Sequence, residues 1–261
     1  MSNPIIDIGV NLMHRSFHQD RELVVARATE NHVTPLIITG TSLRNSIEAS
    51  RYAGRYPGKL YATTGVHPHD AKNCNEETIT KIKELAALPQ VVAIGECGLD
   101  YNRDFSPRDV QRKWFTEQVG LALELNMPLF LHEREAFSDF ASILKENEVK
   151  KAVVHCFTGT VHELNTYLEL GFHIGITGWI CDERRGNHLK ELVRRIPLNR
   201  LMIETDAPFL TPRDLKEKPV DGRNEPAFLP HILQTVARCV EKSVDEVAKA
   251  TTETAREFFG I

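Results

Sequence analysis

The sequence predicts an α/β protein, one domain over residues 1–261 folded as a (β/α)8 TIM barrel. Three observations lead there. Short runs rich in Ile, Val and Leu alternate with longer segments at helical spacing from end to end, the pattern of repeated βα units on a parallel sheet. Eight such units match the usual size of one barrel, about 250 residues. No Pro/Gly/Ser-rich linker, low-complexity tract or exact repeat divides the 261 residues. A doubly wound open sheet is the alternative arrangement of the same units.

The elements follow in order. Strand one is expected over 4–10 and a helix over 20–31; strand two over 35–39 with a helix over 42–55; strand three over 59–66 with a helix over 76–87. Strand four, over 91–95, precedes a helix over 107–125, where Ser106 can cap and Pro107 suits the first helical position. Strand five (128–132) leads to a helix over 136–146, and strand six (152–155) to one over 160–170 that opens on the capping-box sequence Thr160-Val161-His162-Glu163. Strand seven (173–177) precedes a helix over 187–195. Strand eight (200–204) is followed by helices over 230–240 and 244–259, the last opening on a second capping-box sequence, Ser243 to Glu246.

Composition limits the function classes. Hydrophobic residues make up 41% and charged residues 26%, which excludes a disordered, collagen-like or coiled-coil chain. Lys and Arg number 32 against 36 Asp and Glu, a net charge of −4, so contact with nucleic acid must rest on a local basic patch. Five scattered cysteines without a CxxC pair read as free thiols of a reducing compartment. The start of the chain lacks the basic and apolar pattern of a signal peptide, and no window has the apolar length of a membrane span. The expected location is therefore the cytoplasm, with no membrane association.

Functional residues of such barrels gather where the loops leave the C-terminal ends of the strands, and the unusual polar residues fall there repeatedly. Strand one ends in Asp7-Ile8-Gly9-Val10-Asn11, strand three in Gly65-Val66-His67-Pro68-His69-Asp70, and strand four in Gly95-Glu96-Cys97-Gly98-Leu99-Asp100. Strand five ends in His132-Glu133-Arg134, strand six in His155-Cys156-Phe157-Thr158-Gly159, and strand eight in Glu204-Thr205-Asp206-Ala207-Pro208. Glu96, His132, His155 and Asp206 come from four strands that a closed barrel brings around one cavity. Imidazole nitrogens with carboxylate oxygens suit a divalent ion, Zn, Mn or Mg, and the cysteine spacing excludes a thiolate-rich structural zinc site.

These motifs, in this order and over essentially the whole chain, resemble the TatD-type metal-dependent deoxyribonucleases of the amidohydrolase-like superfamily. The segments Thr177 to Gly186 and Arg223-Asn224-Glu225-Pro226 are similar to its bacterial subgroup. The resemblance implies that Glu96, His132, His155 and Asp206 are metal ligands and that Asp206 also takes a proton from the attacking water. It further implies a 3′ to 5′ exonuclease acting on single-stranded DNA, with RNA as a further substrate, and a tie to DNA degradation and repair. The family commonly carries His-x-His at the end of strand one, where this chain has Gly9 and Asn11. That loss of imidazoles favours an oxygen-preferring ion such as Mg²⁺ over Mn²⁺ or Zn²⁺. Ser138 replaces an acidic residue usual in the family, at a peripheral helix contact.

Around the ligands, His67 and Arg134 are expected to contact a phosphate, with Arg184, Arg185, Arg213 and Arg223 in loops on the same face; Arg184 and Arg185 are taken as substrate-binding. Glu204, Asn11 and Asp7 are expected behind the ligands, Glu204 as a partner for a metal-bound histidine. His69 and Asp70 read as caps of the next segment. Trp179 and Phe209 read as core, His14 and His18 as surface, and His32, His162, His173, His188 and His231 as ordinary polar residues. Cys97 and Cys156 alternate away from their ligand neighbours and read as inert buried thiols. Two other functions fit less of this: a hydrolase of a small amide, ester or lactone on the same barrel, and a binding barrel with a vestigial metal site. No obligate protein partner is expected.

Overall fold

The computed structural model describes residues 4–261, so the first three positions of the expected domain lie outside the described residues. Eight strands run through it: β1 (Ile5–Val10), β2 (Val33–Ile38), β3 (Leu60–Thr64), β4 (Val91–Asp100), β5 (Leu129–Arg134), β6 (Ala152–Val154), β7 (His173–Ile176) and β8 (Leu201–Ile203). The helices are α1 (Arg21–Glu30), α2 (Leu43–Ala53), α3 (Glu76–Ala86), α4 (Arg108–Glu124), α5 (Phe137–Glu146), α6 (Val161–Glu169), α7 (Asn187–Leu192), α8 (Leu229–Cys239) and α9 (Val244–Phe259). All seven neighbouring strand pairs are parallel and follow chain order. This is the expected (β/α)8 arrangement.

The seam between β8 and β1 closes just beyond the end of β8. The Asp206 amide donates to the Gly9 carbonyl at 2.9 Å, and the Asn11 amide to the Ala207 carbonyl at 2.7 Å. Buried Asp7 completes the seam: its carboxylate accepts from the Thr205 amide at 3.0 Å, from the Thr205 hydroxyl at 2.5 Å and from the Gly9 amide at 3.2 Å.

Strand alternation divides the apolar side chains into two sets. One set, Ile5, Leu36, Ile38, Leu129, Leu131, Val154 and Ile203 among them, packs under the surrounding helices. The other, including Ile6, Ile8, Ile37, Phe130, Val153 and Met202, clusters with Ala255, Phe258 and Phe259 at the end of α9. Burying a side chain of this size stabilises by roughly 1.5–3 kcal/mol. Phe258 lies against His173 at the start of β7, so α9 covers the N-terminal ends of the strands and leaves the C-terminal ends open for chemistry.

Differences from the sequence reading have local causes. β4 runs on to Asp100 because Gly95 and Gly98 take φ values of +136° and +146°, where a Cβ would strike the Phe130 and His132 carbonyl oxygens at 2.1 and 1.8 Å. Ser106 does not cap α4; its buried hydroxyl donates to the His69 carbonyl and accepts from the Lys72 amide. Thr160 and Glu163 form the expected capping box. At Ser243 only the serine hydroxyl does its part, because Glu246 pairs with Lys242. No helix among the described residues is long and apolar enough to cross a membrane.

Candidate metal centre and the groove beside it

The register between β4 and β5 slips between Gly95 and Cys97, leaving Glu96 as the extra residue of a bulge. Bulges re-aim side chains, and here Glu96 is buried at the meeting point of three imidazoles. Its Oε1 lies 2.7 Å from His155 Nε2, 3.0 Å from His132 Nδ1 and 3.4 Å from His67 Nε2. His132 ends the inner part of β5, His155 follows β6 by one residue, and His67 follows β3 in the turn before a 3₁₀ helix, Pro68–Asn73.

A second layer fixes these rings. Glu204, fully buried, faces His155 Nδ1 at 3.4 Å and accepts from the Cys156 amide at 2.6 Å. Asp100 Oδ2 lies 2.6 Å from His69 Nε2 and 3.5 Å from His132 Nε2. Asp206, just past β8, accepts from the Asn11 amide group at 2.8 Å. Asn11, His67, Glu96, His132, His155 and Asp206 all line one cavity of about 500 Å³.

The electrostatics suit a cation. Burial opposes ionisation of Glu96, but His155, His67 and His132 outweigh it and hold its carboxyl well below the usual carboxylate range. Burial pushes His67 down to about 3, so its ring is neutral and keeps a lone pair to offer. Burial likewise opposes a charge on His155, yet Glu96 and Glu204 raise its pKa well above the ordinary value. Burial pushes the Asp206 carboxyl up to about 7. Ligating atoms of His67, Glu96 and His132 lie within 4.8 Å of one another. His132 Nε2 is a buried ring nitrogen with no hydrogen-bond partner among the described residues. That nitrogen, 3.5 Å from Asp100 Oδ2 without a hydrogen bond to it, and the mixed imidazole–carboxylate donor set fit a divalent ion.

The structure brings together all four residues expected as ligands and adds others that sequence reasoning passed over or placed elsewhere, Asp70 among them. His69 and Asp100 form a pair inside the cavity instead of capping the next segment. Alternation was the available signal, since Asp100 shares a strand face with Glu96, and His69 follows His67 by two. Arg103, in the loop after β4, also lines the cavity, and no motif marked it. Asp7 is not among the lining residues; it acts at the seam, where burial pushes its carboxyl up to about 7. Cys156 does line the cavity, because its φ of +46° ends strand alternation there, although burial keeps its thiol well above the usual pKa. His14 and Phe209 meet edge to face at 5.4 Å on the cavity wall, so neither reading, surface for one and core for the other, holds.

The arginines divide. Arg134 lines both the cavity and an adjoining groove of about 800 Å³. Trp179 and His188 stand in that groove with Arg185, whose guanidinium lies 5.7 Å from the Trp179 ring centre; Trp179 is thus both core packing and groove wall. Arg184 and Arg213 instead flank Asp182 in a separate pocket, with nitrogens 3.4 and 3.9 Å from its oxygens. Arg223 is held by Asp20 and Glu225, each at 2.7 Å, and so is not a free rim charge.

Residues 6–260 match the family model described as TatD related DNase. A relative from Rahnella sp. (strain Y9602), named 3'-5' ssDNA/RNA exonuclease TatD, is 50% identical over 259 residues, covering 98% of each chain. Among solved structures, the TatD homolog YJJV from Escherichia coli K12 superposes with a TM-score of 0.90 at 26% identity over 98% of each chain. A hydrolase TatD family protein from Entamoeba histolytica superposes with a TM-score of 0.89 at 29% identity over 99% of each chain.

Proposed function

The chain belongs to the TatD-related DNase family, and from that premise we propose that it is a metal-dependent 3′-5′ exonuclease acting on single-stranded DNA and on RNA. The observation that carries this reading is the convergence of His67, His132 and His155 on Glu96 in a cavity that continues, past Arg134, into an arginine- and tryptophan-lined groove.

Glu96, His132 and His155, with His67 beside them and Asp206 across the cavity, would hold the divalent ion. When bound, it supplies a Lewis acid for a non-bridging phosphate oxygen and acidifies a water molecule. Asp206 takes the proton of the attacking water as its oxygen bonds to phosphorus and the bond to the leaving sugar oxygen breaks. Positioned proton transfer of this kind is worth about 10²- to 10⁴-fold. Asn11 holds one Asp206 oxygen and so aims the other. Arg134 and Arg103 bring positive charge to the phosphate side of the cavity. The rest of the strand lies along the groove, where Trp179 stacks a base and Arg185 meets the backbone.

The ion we place here is Mg²⁺, because Gly9 and Asn11 remove imidazoles from strand one; Mn²⁺ and Zn²⁺ suit the nitrogen-rich side formed by His67, His132 and His155. We further place the protein in the cytoplasm, with residues 1–261 as one domain and no obligate protein partner. The test is degradation of a single strand labelled at either end with Mg²⁺, Mn²⁺, Zn²⁺ or chelator, comparing wild type with Glu96→Ala and Asp206→Ala. Stepwise, metal-dependent shortening from the 3′ end, lost in both variants, is expected. DNA left intact under every ion would redirect the search to esters, lactones and amides.

A further inference from the structure

Outside the cavity, a second cluster of ligating side chains forms where three separate segments meet. After β7 a 3₁₀ helix, Gly178–Cys181, delivers Cys181, which is 1% exposed. The long irregular segment after β8 delivers Asp214, and the first turn of α8 delivers His231. One ligating atom from each of the three lies within 4.8 Å of the other two, and His231 Nε2 is 2.6 Å from Asp214 Oδ1. Thr235, one turn beyond His231 on α8, accepts from the Cys181 thiol at 3.5 Å. None of these residues lines the catalytic cavity.

We propose that Cys181, Asp214 and His231 form a zinc site that ties the segment after β8 to α8 and to the turn after β7. Thiolate, imidazole and carboxylate together are the donors of Zn²⁺ rather than Mg²⁺, and three protein ligands leave the fourth tetrahedral position to water. Side-chain exposures of 24% for His231 and 31% for Asp214 give an ion access from solvent, while the sulfur is sealed inside. Asp182, the nearest further carboxylate in sequence, is occupied with Arg184 and Arg213. Binding balances simply. The Cys181 thiol loses its proton to solvent as sulfur bonds the ion; His231 gives up its contact with Asp214 and carries its remaining proton on Nδ1. Without the ion, burial pushes the thiol up to about 12, and His231 and Asp214 meet without the sulfur.

The segment so held also carries Asp206 and Phe209, both on the wall of the catalytic cavity. The site therefore acts at a distance on the cavity, by fixing the chain that leads away from Asp206.

The test uses the full chain, stripped of metal under reducing conditions and titrated with Co²⁺ as a spectroscopic probe for zinc. A thiolate-to-cobalt charge-transfer band is expected in wild type and in Cys156→Ser, and it should vanish in Cys181→Ser. Since Cys181→Ser also disturbs the contact with Thr235, His231→Gln serves as the second variant: the band should persist with cobalt affinity lowered about tenfold or more. A wild type without the band, a band that survives Cys181→Ser, or unchanged affinity in His231→Gln would each overturn the assignment.

Discussion

A Cβ on Gly9 would lie 2.2 Å from Glu204 Oε2, so the Glu204 carboxylate fills the space that a larger side chain at this strand-one position needs. Gly175 makes the matching gap on the other side, where a Cβ would meet Glu204 Oε1 at 2.6 Å. Held between them, Glu204 reaches His155 Nδ1 and the Cys156 amide. The chain thus has a buried carboxylate behind His155, in space that the two glycines leave open. Glu204→Gln keeps the shape and removes the charge; activity or metal affinity should fall about 10- to 100-fold, as for other partners of ligating histidines. Gly9→Ala should lower activity in the same direction and cost about 1–3 kcal/mol in urea unfolding. A silent Gly9→Ala would contradict the packing account.

Asp206 sits in the left-handed region at φ +54°, pinned by its own amide on the Gly9 carbonyl and by Asn11 on its carboxylate. Such a constraint fixes where its oxygens point. Asp206→Asn retains the size and the hydrogen bonds but cannot take a proton. Steady-state kinetics on a short single strand should show kcat reduced about 10²- to 10⁴-fold with little change in KM. A KM effect of that size with normal kcat would make Asp206 a binding residue instead.

The groove beyond Arg134 makes separable predictions for its residues. Trp179→Ala should weaken single-strand binding, measured by anisotropy without turnover, by about 1–3 kcal/mol, the usual loss of one stacked base. Arg134→Ala should weaken binding across sequences and reduce the salt slope by about one. Arg184→Ala should leave binding unchanged, because its guanidinium faces Asp182 in another pocket. Equal losses from all three substitutions would mean that the groove is not the path of the strand.

How much of this was legible in the sequence follows from the reach of each signal. Alternation and strand count predicted the barrel, and residue type at strand ends predicted Glu96, His132, His155 and Asp206, since both signals are local. Alternation also contained Asp100 and His69, which carry the site's second carboxylate–imidazole pair. Where the backbone leaves strand geometry the signal failed: Cys156 turns into the cavity through a positive φ. Arg134 and Arg185 stand where expected, but the fate of Arg184 and Arg223 was not legible. Whether Arg184 or Arg223 meets a phosphate or a carboxylate depends on Asp182 and Asp20, and in the second case the partner lies 203 residues away in the chain.

That second pairing makes part of the stability sensitive to acid. Arg223 contacts Asp20 through both terminal nitrogens, at 2.9 and 2.7 Å, while Arg27 bridges Asp20 and Glu225, so α1 is fastened to the segment after β8. Arg223 first, then Arg27, holds the Asp20 carboxyl at about 2, below its ordinary 3.8. A depressed carboxylate contributes stability that is fully present above the ordinary value and is lost as pH falls through the folded one. Between about pH 4 and pH 2 the unfolded chain takes up a proton that the folded chain refuses. Asp20→Asn should therefore be less stable than wild type at neutral pH, by about 1 kcal/mol after allowance for partial solvent screening. Urea midpoints taken from pH 7 downward should keep that gap to about pH 4 and close it by about pH 2. A gap that persists at the lowest pH would assign the loss to packing, not to the ion pair.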